Sequence, residues 1–205
     1  MHTIVQNDSN DFDIDVGIVF EADNLANRGA ESTRNMFRNA LERKTNTFTD
    51  EPEVKTSCVR LKYSEGYHVD FAIFRRHKEY EWDDEFTYEH AGNKWSIRDI
   101  KALEEWFSQK IKEKGIELRQ LVRLSKMFCK SRDTWGTLPS GMIQTVICEE
   151  VFDYNYDRID EKFYFTMKNI VNRLSYTLEV RAPIDNNRLL TTRQIDLELM
   201  ERWKN

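Results

Sequence analysis

Residues 12–20, FDIDVGIVF, alternate strictly between two sets of side chains. This period of two, with β-branched and aromatic residues on one side, predicts a β-strand. The apolar set consists of Phe12, Ile14, Val16, Ile18 and Phe20. The other set begins with two acids, Asp13 and Asp15. The chain must therefore build a sheet with one apolar face and one face that carries charge.

A second pair of strands follows at residues 54–63 and 67–75, and the short turn between them predicts a hairpin. Asp70 lies in the second of these strands, on the face opposite the apolar Val69, Phe71 and Ile73. Residues i and i+2 of a strand project from the same face, about 6.6–6.8 Å apart. If the Asp70 strand pairs beside residues 12–20, three carboxylates meet on one face.

Three neighbouring carboxylates repel one another, and each raises the pKa of the others. A bound divalent cation removes that penalty, and Mg²⁺ prefers a few carboxylates together with water and substrate phosphates. Two such ions about 3.5–4 Å apart serve in-line phosphoryl or nucleotidyl transfer. Asp13, Asp15 and Asp70 are therefore candidate catalytic and metal-binding residues. The alternative is that they are solvated acids on the polar face of a half-exposed sheet.

The rest of the chain is mostly helical in pattern. A helix is predicted over residues 32–43, and the charged, aromatic segment 76–94 is interpreted as an irregular connection. Further helices are expected from Ser96 to Gly115, over 116–131, about 140–152, about 158–175 and 191–203, with a loop from Val180 to Leu190. This order predicts an α+β protein with a sheet-containing lobe at 1–76, a connection at 77–94 and a helical lobe at 95–205.

Two polar residues of the helical part are candidates for binding phosphate. Lys126 would supply a compact cation, and Ser140 would supply a hydroxyl beside the free N–H groups of a helix N-terminus. The alternatives are an ordinary surface lysine and an ordinary N-cap serine. The pattern by itself leaves both readings open.

Composition limits the class of partner. The formal net charge of the 205 residues is −5, which argues against strong nucleic-acid binding. No apolar run approaches the roughly 18–20 residues of a membrane span, and no leader is recognisable at the N-terminus, so neither a membrane nor secretion is expected. The three cysteines are far apart in the sequence, which fits a reducing, cytoplasmic location.

Several segments, in order along the chain, resemble the bacterial cGAS/DncV-like nucleotidyltransferases (CD-NTases) of the polymerase-β-like superfamily. The matching segments are Asp11-Phe-Asp-Ile-Asp-Val-Gly, His68-Val-Asp-Phe, Leu118-Arg-Gln-Leu-Val-Arg-Leu-Ser-Lys126, Leu138-Pro-Ser140 and the loop around Pro183. The resemblance implies a polymerase-β-like nucleotidyltransferase lobe with a small mixed sheet, a helical lobe and a cleft between them.

The resemblance also implies roles for individual residues. Asp13, Asp15 and Asp70 would hold two Mg²⁺ ions, with Mn²⁺ a possible substitute, and Asp70 would help to activate the acceptor hydroxyl. Lys126 and Ser140 would hold the donor triphosphate. The substrates would be ATP, GTP or other nucleoside triphosphates. The products would be cyclic di- or oligonucleotide second messengers that act on effector proteins of anti-phage defence operons, with pyrophosphate released.

One departure from the family pattern concerns the N-terminus. The family carries a Gly-Ser motif before its first acid and a long N-terminal helix, whereas the first glycine of this chain is Gly17. We therefore expect a chain truncated at its N-terminus, or one whose gene start is set too late, with its own activity in question. Two other functions stay open: a related transferase that acts on RNA, a small molecule or a protein, and a non-catalytic nucleotide-binding module.

Overall fold

The computed structural model describes residues 3, 13–43, 50–64, 66–99 and 101–205, without the side chains of Asp13 and Asp133. The chain divides into two compact units. One is Gln6–Lys101, which we call the sheet unit. The other is Ala102–Asn205 together with Met1–Val5, which we call the helical unit, and Thr3 is the one described residue of its N-terminal part.

The sheet unit contains a mixed sheet and one α-helix among its described residues. Its elements are β1 (Asp13–Glu21), α1 (Ala30–Glu42), β2 (Glu53–Val54), β3 (Val59–Lys62), β4 (His68–His77), β5 (Thr87–Ala91) and β6 (Trp95–Ile97). A short 3-10 helix, Ala22–Leu25, follows β1.

Strand β4 is the centre of this sheet. It pairs in parallel with β1 along one edge. On its other edge it pairs antiparallel with β3 near its beginning and with β5 near its end. A parallel pair needs a long crossover connection, and the segment between β1 and β4, which includes α1, provides it. This topology brings two strands from distant parts of the chain side by side.

The apolar face of the sheet packs against α1. Phe37 of α1 and Phe71 of β4 lie with their ring centroids 5.3 Å apart. Ile73 and Val59 are fully buried in the same cluster. Arg34 of α1 donates a hydrogen bond to the carbonyl of Ala91, 2.7 Å away. Because α1 covers this face, the acid-bearing positions of β1 and β4 fall on the opposite one.

The helical unit is built from five α-helices and a small hairpin in the described part of the chain. These are α2 (Ala102–Lys114), α3 (Glu117–Lys130), α4 (Gly141–Val151), α5 (Ile159–Tyr176), β7 (Arg181–Ala182), β8 (Asp185–Leu189) and α6 (Gln194–Lys204). Their shared core includes Phe107, Leu118, Leu121, Ile147, Ile170, Leu174, Met200 and Trp203. Helix α4 is buried from Ile143 to Glu149, whereas its first residue, Gly141, is exposed.

Most of the predicted elements are present within a few residues of their expected bounds, but three interpretations were wrong. The helix expected to begin at Ser96 begins at Ala102, because Trp95–Ile97 is a strand that pairs with β5. The segment 76–94 is not an irregular connection, since it contains β5. The loop Val180–Leu190 forms the hairpin β7–β8. Helix α1 begins at Ala30, two residues before its expected start.

Candidate functional site

The parallel pairing of β1 with β4 places Asp15 and Asp70 directly opposite each other. Neighbouring strands lie about 4.8 Å apart, so these two acids occupy adjacent positions of one sheet. Asp13, two residues earlier in β1, is the register partner of His68. The side chain of Asp13 lies outside the described residues, so its part in a three-carboxylate cluster stays a prediction.

Asp70 is held by an arginine that the sequence did not single out. Arg60 of β3 is its register partner across the antiparallel edge. The Nε of Arg60 donates to Oδ1 of Asp70 and the Nη2 donates to Oδ2, each at 2.7 Å. This pairing lowers the pKa of Asp70 below the ordinary value of 3.8, against the opposing effect of burial. Asp70 is therefore ionised at neutral pH.

The donor set suits a magnesium-type ion. Carboxylate oxygens are the ligands that such ions prefer, and an ionised Asp70 beside Asp15 supplies two carboxylates on neighbouring strands. Among the side chains that the structure describes, no three His, Cys, Asp or Glu come together as a metal site. The third ligand would have to be Asp13, whose side chain is not described. The residues present thus fit the cation, and a complete metal centre stays a prediction.

Lys126 belongs to the helical unit and lies partly buried beside α4. Its ammonium donates to Oγ1 of Thr3 at 2.7 Å and to the Thr3 carbonyl at 3.3 Å. No carboxylate pairs with it among the described residues. Burial lowers the pKa of Lys126 from its ordinary 10.5. With only neutral partners among the described residues, this partly buried ammonium would favour an anionic ligand.

Ser140 is the N-cap of α4, and its hydroxyl accepts a hydrogen bond from the backbone N–H of Ile143 at 3.3 Å. Its own O–H is left to donate, and the side chain is exposed. The next residue, Gly141, lies so close to Lys126 that a Cβ there would be 3.3 Å from Nζ. The ammonium therefore lies over the first turn of α4, where the helix dipole is also positive. Two positive centres at one place favour a bound phosphate.

Comparison with known proteins supports one family. Residues 1–74 match the family model of the cyclic GMP-AMP synthase DncV-like nucleotidyltransferase domain. The cyclic GMP-AMP synthase of Escherichia albertii is 28% identical over 205 residues, an alignment that covers 94% of this chain and 44% of the relative. The match thus runs through both units, with both candidate sites inside it.

Solved structures of DncV enzymes share the fold. Escherichia coli DncV bound to 3′-deoxy GTP matches 99% of this chain and 59% of its own, with a TM-score of 0.72 and 22% identity. Vibrio cholerae DncV with the linear intermediate 5′ pppA(3′,5′)pG matches 95% and 55%, with a TM-score of 0.71 and 19% identity. The chain spans about half the length of these relatives. Its α+β fold is that of the polymerase-β-like nucleotidyltransferases.

The chain is thus similar to the CD-NTases, by the family model over residues 1–74 and by the curated relative over most of its length. The structure brings Asp15 and Asp70 together in the sheet unit, and Lys126 and the Ser140 helix start together in the helical unit. The two pairs lie in different units.

Sequence reasoning missed three residues at these places. Arg60 and Thr3 are the direct partners of Asp70 and Lys126. Gly141 leaves the space that the ammonium of Lys126 occupies. The alternation of apolar and charged residues in β3 was the available sequence signal that Arg60 shares the acid-bearing face. Nothing local marks Thr3, which is 123 residues from Lys126 in sequence.

A cavity of about 500 Å³ in the helical unit is lined by α3, α5 and α6, and includes Phe128, Tyr164 and Trp203 but neither Lys126 nor Ser140. None of the helices in the described part of the chain is long and apolar enough to cross a membrane.

Proposed function

We propose that this protein joins nucleoside triphosphates into a cyclic di- or oligonucleotide with release of pyrophosphate. The observation that carries the proposal is the pairing of Asp15 with Asp70 across β1 and β4, in a chain similar to the CD-NTases. ATP and GTP are the proposed substrates, because the related DncV structures contain a GTP analogue and a linear pppApG intermediate. A second-messenger role in anti-phage defence is part of the proposal and has only the family resemblance behind it.

Asp13, Asp15 and Asp70 would hold two Mg²⁺ ions, for which Mn²⁺ can substitute. Bound there, the ions would stabilise charge on the triphosphate and make the acceptor hydroxyl more acidic. Asp70 would accept a hydrogen bond from that hydroxyl, since its low pKa keeps it ionised. The new bond joins the hydroxyl oxygen to the α-phosphorus, the bond from the α-phosphorus to the pyrophosphate oxygen breaks, and the proton passes to Asp70 or to solvent.

Lys126 and Ser140 would hold the donor triphosphate. Within the described part of the chain the ammonium of Lys126 donates to two atoms, both of Thr3, so a third proton would be left for a phosphate oxygen. The hydroxyl of Ser140 and the first N–H groups of α4 would donate to the same group. Because no carboxylate balances Lys126 among the described residues, the charge of a phosphate would be compensated there without displacing an ion pair.

The test is product formation by the protein as its gene encodes it. The four nucleoside triphosphates are incubated with Mg²⁺ or Mn²⁺, treated with phosphatase and separated by chromatography. We expect a phosphatase-resistant product that disappears in the double variant Asp13→Ala, Asp15→Ala. The control Asp23→Ala removes an acid just beyond β1 and should keep the product. A product that survives the double variant, or a wild-type protein that makes none, would contradict the proposal.

The same assay separates the alternatives. Labelled nucleotide that appears on RNA, a small molecule or a protein would identify another transferase of the superfamily. A non-catalytic module is favoured by one observation, namely that both oxygens of Asp70 are engaged by Arg60. Calorimetric binding of a non-hydrolysable ATP analogue, combined with absence of any product, would identify such a module.

A further inference from the structure

Arg60 and Asp70 form a two-point ion pair on the acid-bearing face of the sheet. Their positions are opposite each other in the β3–β4 register, so the backbone itself brings the two side chains together. Two parallel hydrogen bonds of 2.7 Å join the guanidinium to both carboxylate oxygens. The side chains are 20% and 14% exposed, so water screens the pair only in part.

The surroundings of the pair concentrate negative charge. Asp15 is the neighbour of Asp70 on β1, and Asp13 comes two residues earlier in the same strand. The thiol of Cys58 is also hydrogen-bonded to Asp70, and burial raises the pKa of that thiol so that it stays neutral. Arg60 is thus the cation that the structure holds in direct contact with the candidate metal ligand.

A divalent ion that binds Asp70 must share it with this guanidinium. A carboxylate has about four lone-pair sites, and the arginine fork occupies one on each oxygen. The Cys58 thiol uses a further site, and an ion at a remaining one would lie a few ångströms from a fixed positive charge. Like charges at such a distance repel, and the repulsion is stronger in a partly buried place than in water.

We propose that Arg60 is an internal counter-ion of the acid cluster, which competes with the divalent cation for Asp70 and so weakens metal binding. The inference rests on the metal site of the proposed function and adds a residue that sets its affinity. In the absence of metal, Arg60 compensates the charge of Asp70 and joins β3 to β4 through two hydrogen bonds. When metal binds, Arg60 loosens its hold on Asp70. Arg60 is therefore a positioning residue, because it acts through Asp70.

The test measures Mn²⁺ binding to the nucleotide-free protein by electron paramagnetic resonance, which needs no turnover. We expect Arg60→Gln to bind Mn²⁺ about tenfold more tightly than wild type, in the range of coupling between interacting sites. Arg60→Lys keeps the charge without the two-point fork and should stay within about threefold of wild type. Equal or weaker binding by a folded Arg60→Gln variant would overturn the inference.

Arg75 offers a matched control. It pairs with Glu89 of the neighbouring strand at 2.6 Å, with side chains 25% and 15% exposed, close to the values of the Arg60 pair. Arg75→Gln should therefore lower the thermal midpoint to a similar extent while leaving Mn²⁺ affinity unchanged. If Arg75→Gln tightens Mn²⁺ binding as much as Arg60→Gln does, the effect is one of net charge and the inference is wrong.

One more variant separates this inference from the proposed function. Asp15→Ala should lose most Mn²⁺ binding. If Asp15→Ala binds Mn²⁺ as wild type does, the ion is not at these acids, and both the proposed metal site and the role of Arg60 fail. If Asp15→Ala loses binding but Arg60→Gln does not gain it, the role of Arg60 alone is wrong.

Discussion

Asp70 and Lys126 are both partly buried charged groups at candidate sites, but the protein treats their charges differently. Asp70 has a cation on both of its oxygens, whereas the partners of Lys126 that the structure describes are the two neutral oxygens of Thr3. Both pKa values are lowered, for opposite reasons: an ion pair favours the charged form of Asp70, and burial disfavours the charged form of Lys126.

This difference in charge compensation affects how strongly each residue would bind an oppositely charged ligand. At Asp70 an incoming cation meets a charge that is already compensated, so its binding is weakened. At Lys126 an incoming anion meets a charge that nothing has compensated among the described residues, and it also meets the positive end of α4. In the proposed reaction, Lys126 would therefore supply a charge that compensates the triphosphate.

The largest expected effect is the loss of that uncompensated charge. Lys126→Ala should weaken binding of a non-hydrolysable ATP analogue about 10- to 100-fold, since a hydrogen bond to a charged group is worth about 1.5–3 kcal/mol. Isothermal titration calorimetry measures it. Lys130→Ala, one turn further along α3, is the matched control and should bind almost normally. Equal affinities for the two variants would remove Lys126 from the site.

The second-largest expected effect is a loss of stability when the Arg60–Asp70 ion pair is removed. Arg60→Gln should lower the free energy of unfolding by about 1–3 kcal/mol at pH 7. Urea denaturation without metal measures this loss. The expected loss is smaller than that for a fully buried ion pair, because the Arg60–Asp70 pair is partly exposed. Asp70 has a lowered pKa, so the pair contributes its full stability above the ordinary value of 3.8. That contribution is lost as the pH falls through the folded pKa.

The two urea curves should therefore converge at low pH. A difference between wild type and Arg60→Gln that stays constant down to pH 2 would show that the loss comes from packing rather than from charge. Arg75→Gln serves again as the comparison, with a similar loss expected at pH 7.

The smallest expected effect comes from Thr3, the neutral hydrogen-bond partner of Lys126. Thr3→Val removes the Oγ1 that accepts from Lys126 and should lower the pKa of the ammonium further, because that hydrogen bond stabilises the charged form by about 1 kcal/mol. Binding of the ATP analogue requires the protonated ammonium, so it should weaken as the pH rises through this pKa, below 10.5 in wild type.

Calorimetry across pH 7 to 10 should find that decline at lower pH in Thr3→Val than in wild type. Thr3→Ser keeps the hydroxyl and should behave as wild type. Arginine stays charged over this range, so a Lys126→Arg variant should show no decline if it binds at all. An unchanged pH profile in Thr3→Val would mean that the carbonyl of Thr3 is the partner that matters.

The sequence by itself determined much of the local structure. The alternation of β1, the hairpin of β3 with β4 and the apolar stripes of α3, α4 and α5 all follow from the side chains of near neighbours. Local patterns failed where a segment depends on a distant partner. Strands β5 and β6 are short, polar and aromatic, and only their pairing with β4 and with each other makes them strands.

The candidate residues divide in the same way. Asp13, Asp15, Asp70, Lys126 and Ser140 could be named from residue type, spacing and resemblance. Only the tertiary structure decided that Asp15 is the register partner of Asp70, that Arg60 holds Asp70, and that Thr3 meets Lys126 from 123 residues away. The physical reason is that periodicity reports which face a side chain takes. Charge balance depends on which groups the folded chain brings within hydrogen-bond distance.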